Sequence, residues 1–419
     1  MILKQTRGIL SSGDGLALDL PFAETKSLTA LVGPTPVLTR ASTATFVDSN
    51  GLIQTAAVNE PRFDHDPVTL ASKGLLIEES RTNLITGSNA FNTWTTGNCT
   101  FAASSVVTPE GTADAWKIVE DSLTATHLIT RPFTPVSGTT YTASVWIKSA
   151  ENGFAFLGLS GGGFPATFIS VNLSTGSVST ALGTPIGAKS VSHSNGWWRV
   201  SFSLASTASS SSNIDIRLSR DGNWANRSYL GNGVNGMYVY GAQNEAGSFA
   251  TSYIPTTTSA LARSADVCSI TGANFTEMYN QPEGTLFGSG IVDTVGVGLL
   301  FPFFLSFTDG TANNRIILGS TNSGNAAVRP IIFNSGSTIY TQSIGTVSAG
   351  QSRKVALAYK ESDYRAAANS QLATAGTTGS PPSGLNRADI NSNFFVGTIK
   401  SIRYYKKRLP NAKLQALTA

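Results

Sequence analysis

From residue 85 to residue 263 apolar and polar side chains alternate with a period of two, and the alternating segments are separated by Gly, Ser and Asn turns. That period places every second side chain on the same face of a strand. Tyr141, Ala143, Val145 and Ile147 share one face, and Thr142, Ser144, Trp146 and Lys148 the other. Likewise Trp198, Val200, Phe202 and Leu204 oppose Trp197, Arg199, Ser201 and Ser203. In a third segment Ile214, Ile216 and Leu218 oppose Asp215, Arg217 and Ser219. The apolar sets predict the core of a β-sandwich.

Similar strand signals continue after residue 267, at residues 284–287, 303–305, 315–318, 328–333, 354–359 and 394–405. Turns at Asp309-Gly-Thr and Asn322-Ser-Gly separate some of them, and a short amphipathic helix at 411–417 closes the chain. A second sandwich is expected there.

The first 84 residues read differently. Residues 43–47 and 52–55 form a hairpin about the turn Asp48 to Gly51, Pro61 and Pro67 rule out helix between them, and residues 75–77 make a short apolar strand. Upstream, the alternation at 16–20 is hemmed in by Gly13, Gly15, Pro21, Pro34 and Pro36. A segment so interrupted reads either as a flexible terminus or as an extended arm that orders by adding strands to a neighbouring subunit or platform. The expected fold is all-β: an N-terminal attachment region with short hairpins (1–84), then two tandem sandwiches (85–263 and 264–419).

Composition supports this class. Of 419 residues 41 are Gly and only 13% are charged, which leaves little material for helices. The net charge of +4 has one visible cluster, residues 404–408, so no nucleic-acid partner is expected. Cys99 and Cys268 are too few and too far apart for a disulfide framework or a metal cluster. No apolar stretch of signal-peptide length follows Met1, and the longest apolar run, 295–307, is broken by Pro302. Neither export by a signal peptide nor membrane insertion is expected.

The polar faces of the first sandwich carry Trp, Arg and Asp where Ser and Thr would suffice. Flat rings beside planar polar groups suit a sugar, whose C–H face stacks while its hydroxyls take hydrogen bonds. Trp146, Trp197, Arg199, Asp215 and Arg217 are therefore candidate glycan-binding residues, together with Trp224 in the loop 221–227 and nearby Tyr229. The structural alternative is that a neighbouring domain or subunit covers Trp146 and Trp197 and that Trp224 plugs its loop.

Catalysts are hard to find. His65 stands between Asp64 and Asp66, but adjacent residues of a strand point to opposite faces, so no metal site is expected. Glu78-Glu79 and Glu120-Asp121 are sequence neighbours, which does not predict two carboxylates facing across a cleft. Ser160-Gly-Gly-Gly163 lacks the Lys-Ser/Thr of a phosphate loop, no nucleophile elbow occurs, and no short solenoid repeat is visible. A non-enzyme is expected, with no cofactor. Asp293, Asp309, Asp363 and Asp389 are scattered among turns without the closely spaced oxygen ligands of a calcium loop.

Several segments resemble structural proteins of tailed bacteriophages, described as tail-fibre or head-spike-fibre proteins. They are residues 40–45, Gly51-Leu-Ile53, Glu60-Pro-Arg-Phe-Asp64, Gly74-Leu-Leu-Ile-Glu78 and Arg81-Thr-Asn-Leu84, then Gly241-Ala-Gln-Asn-Glu245, residues 250–256, Ile402-Arg-Tyr-Tyr405, Arg408-Leu409 and residues 414–418. The first sandwich resembles carbohydrate-binding-module jelly rolls, and the second resembles concanavalin A-like, laminin-G-like domains. The resemblance implies a virion protein assembled in the host cytoplasm, a capsid decoration or head fibre, or a tail fibre or spike. It would attach to capsid or tail proteins through its N-terminal arm and meet host cell-surface polysaccharide. Exposed strand edges and a low-charge surface add the expectation of a homotrimer. The alternative is a polysaccharide-degrading tailspike, a depolymerase.

Overall fold

The computed structural model describes residues 12–292, 303–319, 327–346, 348, 350–390 and 396–419. Residues 1–11 of the expected arm, Asp293, and the 295–302 part of the apolar run lie outside them. The fold is all-β with antiparallel pairing throughout.

The first sandwich stacks two six-stranded sheets. One runs, in spatial order, Ile186–His193, Trp197–Ala205, Thr140–Ser149, Gly236–Ala246, Trp116–Glu120, Cys99–Ala103. The other runs Val178–Leu182, Thr167–Asn172, Phe154–Gly161, Ser212–Ser219, Leu128–Phe133, Thr95–Gly97. Between them lies a single core containing Tyr141, Ala143, Val145, Ile147, Val200, Phe202, Leu204, Ile214, Ile216 and Leu218, with Trp198 packed at its margin. The alternation therefore identified the buried faces. Each fully buried Leu, Ile, Val or Phe stabilises such a core by about 1.5–3 kcal/mol.

The second sandwich is not confined to residues 264–419. In its first sheet Glu283–Val292 lies between Ser352–Lys360 and Gly397–Tyr405. The free edge of Gly397–Tyr405 takes Ser72–Ile77 at one end and Leu16–Leu20 at the other. In the second sheet Val37–Thr39 pairs with Val267–Thr271. Leu18, Leu20, Phe22, Leu38, Leu75 and Ile77 share a core with Leu286, Phe304, Leu357 and Ile402.

The expected attachment region of residues 1–84 is thus corrected for its described part, because residues 16–77 supply strands of the C-terminal sandwich. The physical reason is that this segment has too few apolar residues for a core of its own, whereas an open sheet edge offers it a full ladder of hydrogen bonds. The hairpin did form as expected, Ala44–Val47 pairing with Ile53–Ala56. The terminal helix, Asn411–Leu417, lays Leu414 and Leu417 on the outer face of the first sheet.

Candidate functional site

The junction between the two sandwiches is held by buried charge. Arg62 donates to Glu78 at 2.7 Å and to Asp266 at 2.5 Å, Arg263 donates to Glu78 at 2.6 Å, and Arg40 donates to Asp266 at 2.9 Å. Ser252 adds its backbone N–H and its hydroxyl to Glu78. Burial alone would raise the Glu78 carboxyl, but Arg263, Arg62 and Ser252 outweigh it and hold it at about 2. A carboxylate so committed stays ionised and cannot serve as a proton donor near neutral pH.

This clamp fixes the hairpin of residues 44–56 and the segment 249–253 over the outer face of the first sandwich's six-stranded sheet, with Thr45 donating to the Tyr253 carbonyl at 2.6 Å. Part of that face becomes a second, smaller core. Trp146, Trp197, Tyr240 and Tyr253 pack with Ile53 and Ala115, the rings 5.6–6.4 Å apart and mostly edge-on. Gly241 is required here: its φ of 60° forms a bulge, and a Cβ would sit 2.9 Å from the Trp146 ring.

The rest of the face stays open as a cavity of about 230 Å³. The sheet supplies its floor, Trp146, Lys189, Val191, His193, Arg199 and Ser201 among others; the N-terminal segment adds Phe46, Ile53, Asp64, Lys73 and Glu78, and residues 249–253 close it. Register explains the floor. Val191, Arg199, Trp146 and Tyr240 are direct cross-strand neighbours in one row across four strands. The Arg199 guanidinium accordingly stacks on Trp146, 4.4 Å from the ring centroid.

The seven sequence candidates separate into three places. Trp146 and Arg199 line the cavity, while Trp197 does not: it is fully buried beneath the hairpin, with its indole N–H donated to the Val107 carbonyl at 2.8 Å. The expectation that Trp197 offers its ring to a ligand is corrected, because a contact surface of another segment already covers it. Asp215, Arg217 and Trp224 meet on the outer face of the opposite sheet. There Arg217 lies over Phe168 and Trp224 at 4.2 and 5.3 Å and faces Asp215 at 3.6 Å. Trp224 rests on Phe168 at 4.5 Å and on Phe156 edge-on, which makes it the plug of its loop. Gly158 leaves the room for this, since a Cβ there would fall 2.1 Å from the Phe168 ring.

Tyr229 belongs to neither group. Its hydroxyl donates to the buried Glu120 at 2.7 Å, and its ring lies tilted against His127 at 4.7 Å and under Arg220.

His193, Lys189, Asp64, Lys73 and Tyr253 were missed as site residues. Asp64 and Lys73 come from a segment that sequence places 120 residues or so before the floor they face, so periodicity held no signal for them. His193 did carry one: it lies at the end of the same alternating segment as Lys189 and Val191.

Among the described residues no group of three or more His, Cys, Asp and Glu is placed to hold a metal ion, and no helix is long and apolar enough to cross a membrane. Asp309 is bonded to Thr311 and Asn314 within its own turn, Asp363 pairs with Arg408, and Asp389 with Arg387.

Fold and cavity together define the class: an all-β protein of two interlocked sandwiches with a pocket of mixed apolar and polar lining where they meet. No protein-family model and no curated protein sequence matches the chain. Among solved structures it is similar to the Ruminococcus gnavus IT-sialidase CBM40, at 20% identity and a TM-score of 0.30, over 35% of this chain and 88% of that one. It is also similar to the Trypanosoma rangeli sialidase, at 10% identity and a TM-score of 0.29, over 76% of this chain and 52% of that one. Overlaps this slight carry no weight for ligand or activity.

Proposed function

We propose that this chain is a non-catalytic structural and adhesion protein of a tailed-phage particle that holds a host-surface saccharide in the cavity between its sandwiches. The observation that carries the adhesive part is the cavity itself: an aromatic and aliphatic wall from Phe46, Ile53, Val191 and Phe249, with polar side chains interleaved. At about 230 Å³ it lies below the roughly 300–1,000 Å³ typical of drug-sized ligands, which suits a short stretch of sugar. The phage part rests on the resemblance of the segments named above. Several of them, including Asp64, Glu78 and residues 250–253, build the clamp and the cavity wall.

Binding without cleavage is favoured by the state of the acids. Glu78 is held by two arginines, and Asp64 accepts from Lys73 at 3.2 Å and from the Val47 N–H at 2.8 Å. Glycoside hydrolysis needs one carboxylic acid that keeps its proton near neutral pH. In the particle, threefold association would cover the open edge strand Ile186–His193, which ends its sheet.

The test is binding of the purified chain to host-surface polysaccharide, with the oligosaccharide content of the supernatant and the sedimentation of the protein followed in parallel. Retention on the polysaccharide is expected, weakened in Val191→Trp, which places a large side chain at an exposed lining position. Retention unaffected by Val191→Trp would move the ligand elsewhere, release of oligosaccharide would replace adhesion by depolymerase activity, and a monomer at micromolar concentration would remove the trimer.

A further inference from the structure

The cavity is unevenly provided with hydrogen-bond partners. Three buried nitrogen atoms on its lining residues have no protein partner: Nε1 of Trp146, Nε of Arg199 and Nε2 of His193. Trp146 and His193 are only 3% and 5% exposed. An unsatisfied buried donor costs about 1–3 kcal/mol, and the Trp146 indole N–H is such a donor at this cavity; the Nε2 of His193 donates or accepts according to its tautomer, and an Arg Nε without a partner also occurs at Arg62, Arg217 and Arg263, outside the lining. Indole and guanidinium nitrogens donate and never accept.

Charge points the same way. Arg199 makes one hydrogen bond, from Nη2 to the Ser144 hydroxyl at 3.3 Å, and among the described residues it has no carboxylate within ion-pair distance. The acids whose fields favour its charge most, Glu245 and Glu78, do not touch it: Glu245 accepts from Gln243 and twice from Thr251, and Glu78 is held in the clamp. Lys189, exposed at the cavity, adds a second positive charge. Lys73 is balanced by Asp64. Among the described residues, the lining therefore presents Arg199 and Lys189 with no carboxylate in contact, beside an indole N–H that has no partner.

Resting on the saccharide reading above, we infer that the occupant of this cavity is an acidic saccharide, with its carboxylate held at the Arg199 end beside Trp146 and Lys189. Arg199 is half-buried at the cavity with Ser144 alone on its guanidinium, and a guanidinium edge matches the planar carboxylate with paired charge-assisted hydrogen bonds. The neutral ring then has the aliphatic wall and Tyr253 to lie against. A sulfated sugar shares the negative charge but not the planarity.

Calorimetric titration of the full chain at neutral pH and low salt tests this. The probes are glucuronate- and galacturonate-containing trisaccharides, their carboxyl-reduced counterparts, and a sulfated trisaccharide. An acidic probe is expected to bind at least about tenfold more tightly than its reduced partner, the margin of one hydrogen bond to a charged group. Arg199→Gln should erase the difference and Arg199→Lys restore part of it, with circular dichroism unchanged in both variants. Equal affinity for acidic and reduced probes would overturn the inference while leaving saccharide binding in place. Failure of every probe would overturn both, and preference for the sulfated probe would reassign the site to sulfate esters.

Discussion

The two outer faces of the first sandwich begin from the same ingredients and end in different states. Each carries an arginine set against a tryptophan: Arg199 over Trp146, and Arg217 over Phe168 and beside Trp224. On the Arg217 face the charge has its acid, Asp215, which is in turn bonded to Ser160, and the aromatic loop closes over the sheet. On the Arg199 face the acids that would serve are bound to other partners and a cavity remains. A stacked Trp and Arg on a sheet is thus no mark of a site by itself. The mark is an arginine that no carboxylate touches, set at the edge of an open cavity.

The largest effect expected comes from the acid that keeps the two faces different. Glu78→Gln would leave Arg62 and Arg263 without their shared carboxylate and cost about 3–5 kcal/mol, read as a fall in the thermal midpoint. The same group sets a pH dependence. Its folded-state value of about 2 lies below the unfolded one of about 4.3, so its contribution is complete above the latter and is lost as pH falls towards 2. Native protein should lose about 3 kcal/mol on this account across that window, and Glu78→Gln should show a correspondingly shallower acid slope. Equal slopes would place the junction's stability elsewhere.

Next in size is the contrast of the tryptophans. Trp197 is fully buried under the hairpin, and Trp197→Ala should cost about 3–5 kcal/mol. Half-buried Trp224 should cost only about 1–2 kcal/mol as Trp224→Ala, from lost ring contacts with Phe168 and Phe156. Denaturant midpoints separate the two, and equal losses would mean that the loop holding Trp224 supports its sheet as firmly as the hairpin supports the other.

How much of this could be read from the chain depends on what periodicity reports. It gave the inner faces, because Tyr141 to Ile147 and Val200 to Leu204 must alternate to bury one side, and it gave the hairpin and the terminal helix from local turn and pattern signals. It could say that Trp146, Trp197 and Arg199 share an outer face, but not what covers that face. The cover is a hairpin about 90 to 150 residues away, docked by Arg62, Glu78, Arg263 and Asp266, whose pairing has no local signature. The first 84 residues were misplaced for a related reason: Leu16–Leu20 looks too short to stand alone, and its partner, Gly397–Tyr405, lies near the other end of the chain.

The smallest effect tests the comparison most directly, because it opposes two identical substitutions. Arg217→Met would strip the buried Asp215 of its facing charge and should cost about 1–2 kcal/mol, less than a fully buried pair because Arg217 is partly solvated. Arg199→Met would replace a guanidinium that no carboxylate contacts by an apolar chain of similar length on the same Trp146 ring. That variant should be neutral or up to about 1 kcal/mol more stable. A residue that the fold is better without is held for something other than the fold. If Arg199→Met instead destabilises as much as Arg217→Met, the stacking on Trp146 is structural and the two faces differ only in how tightly they are covered.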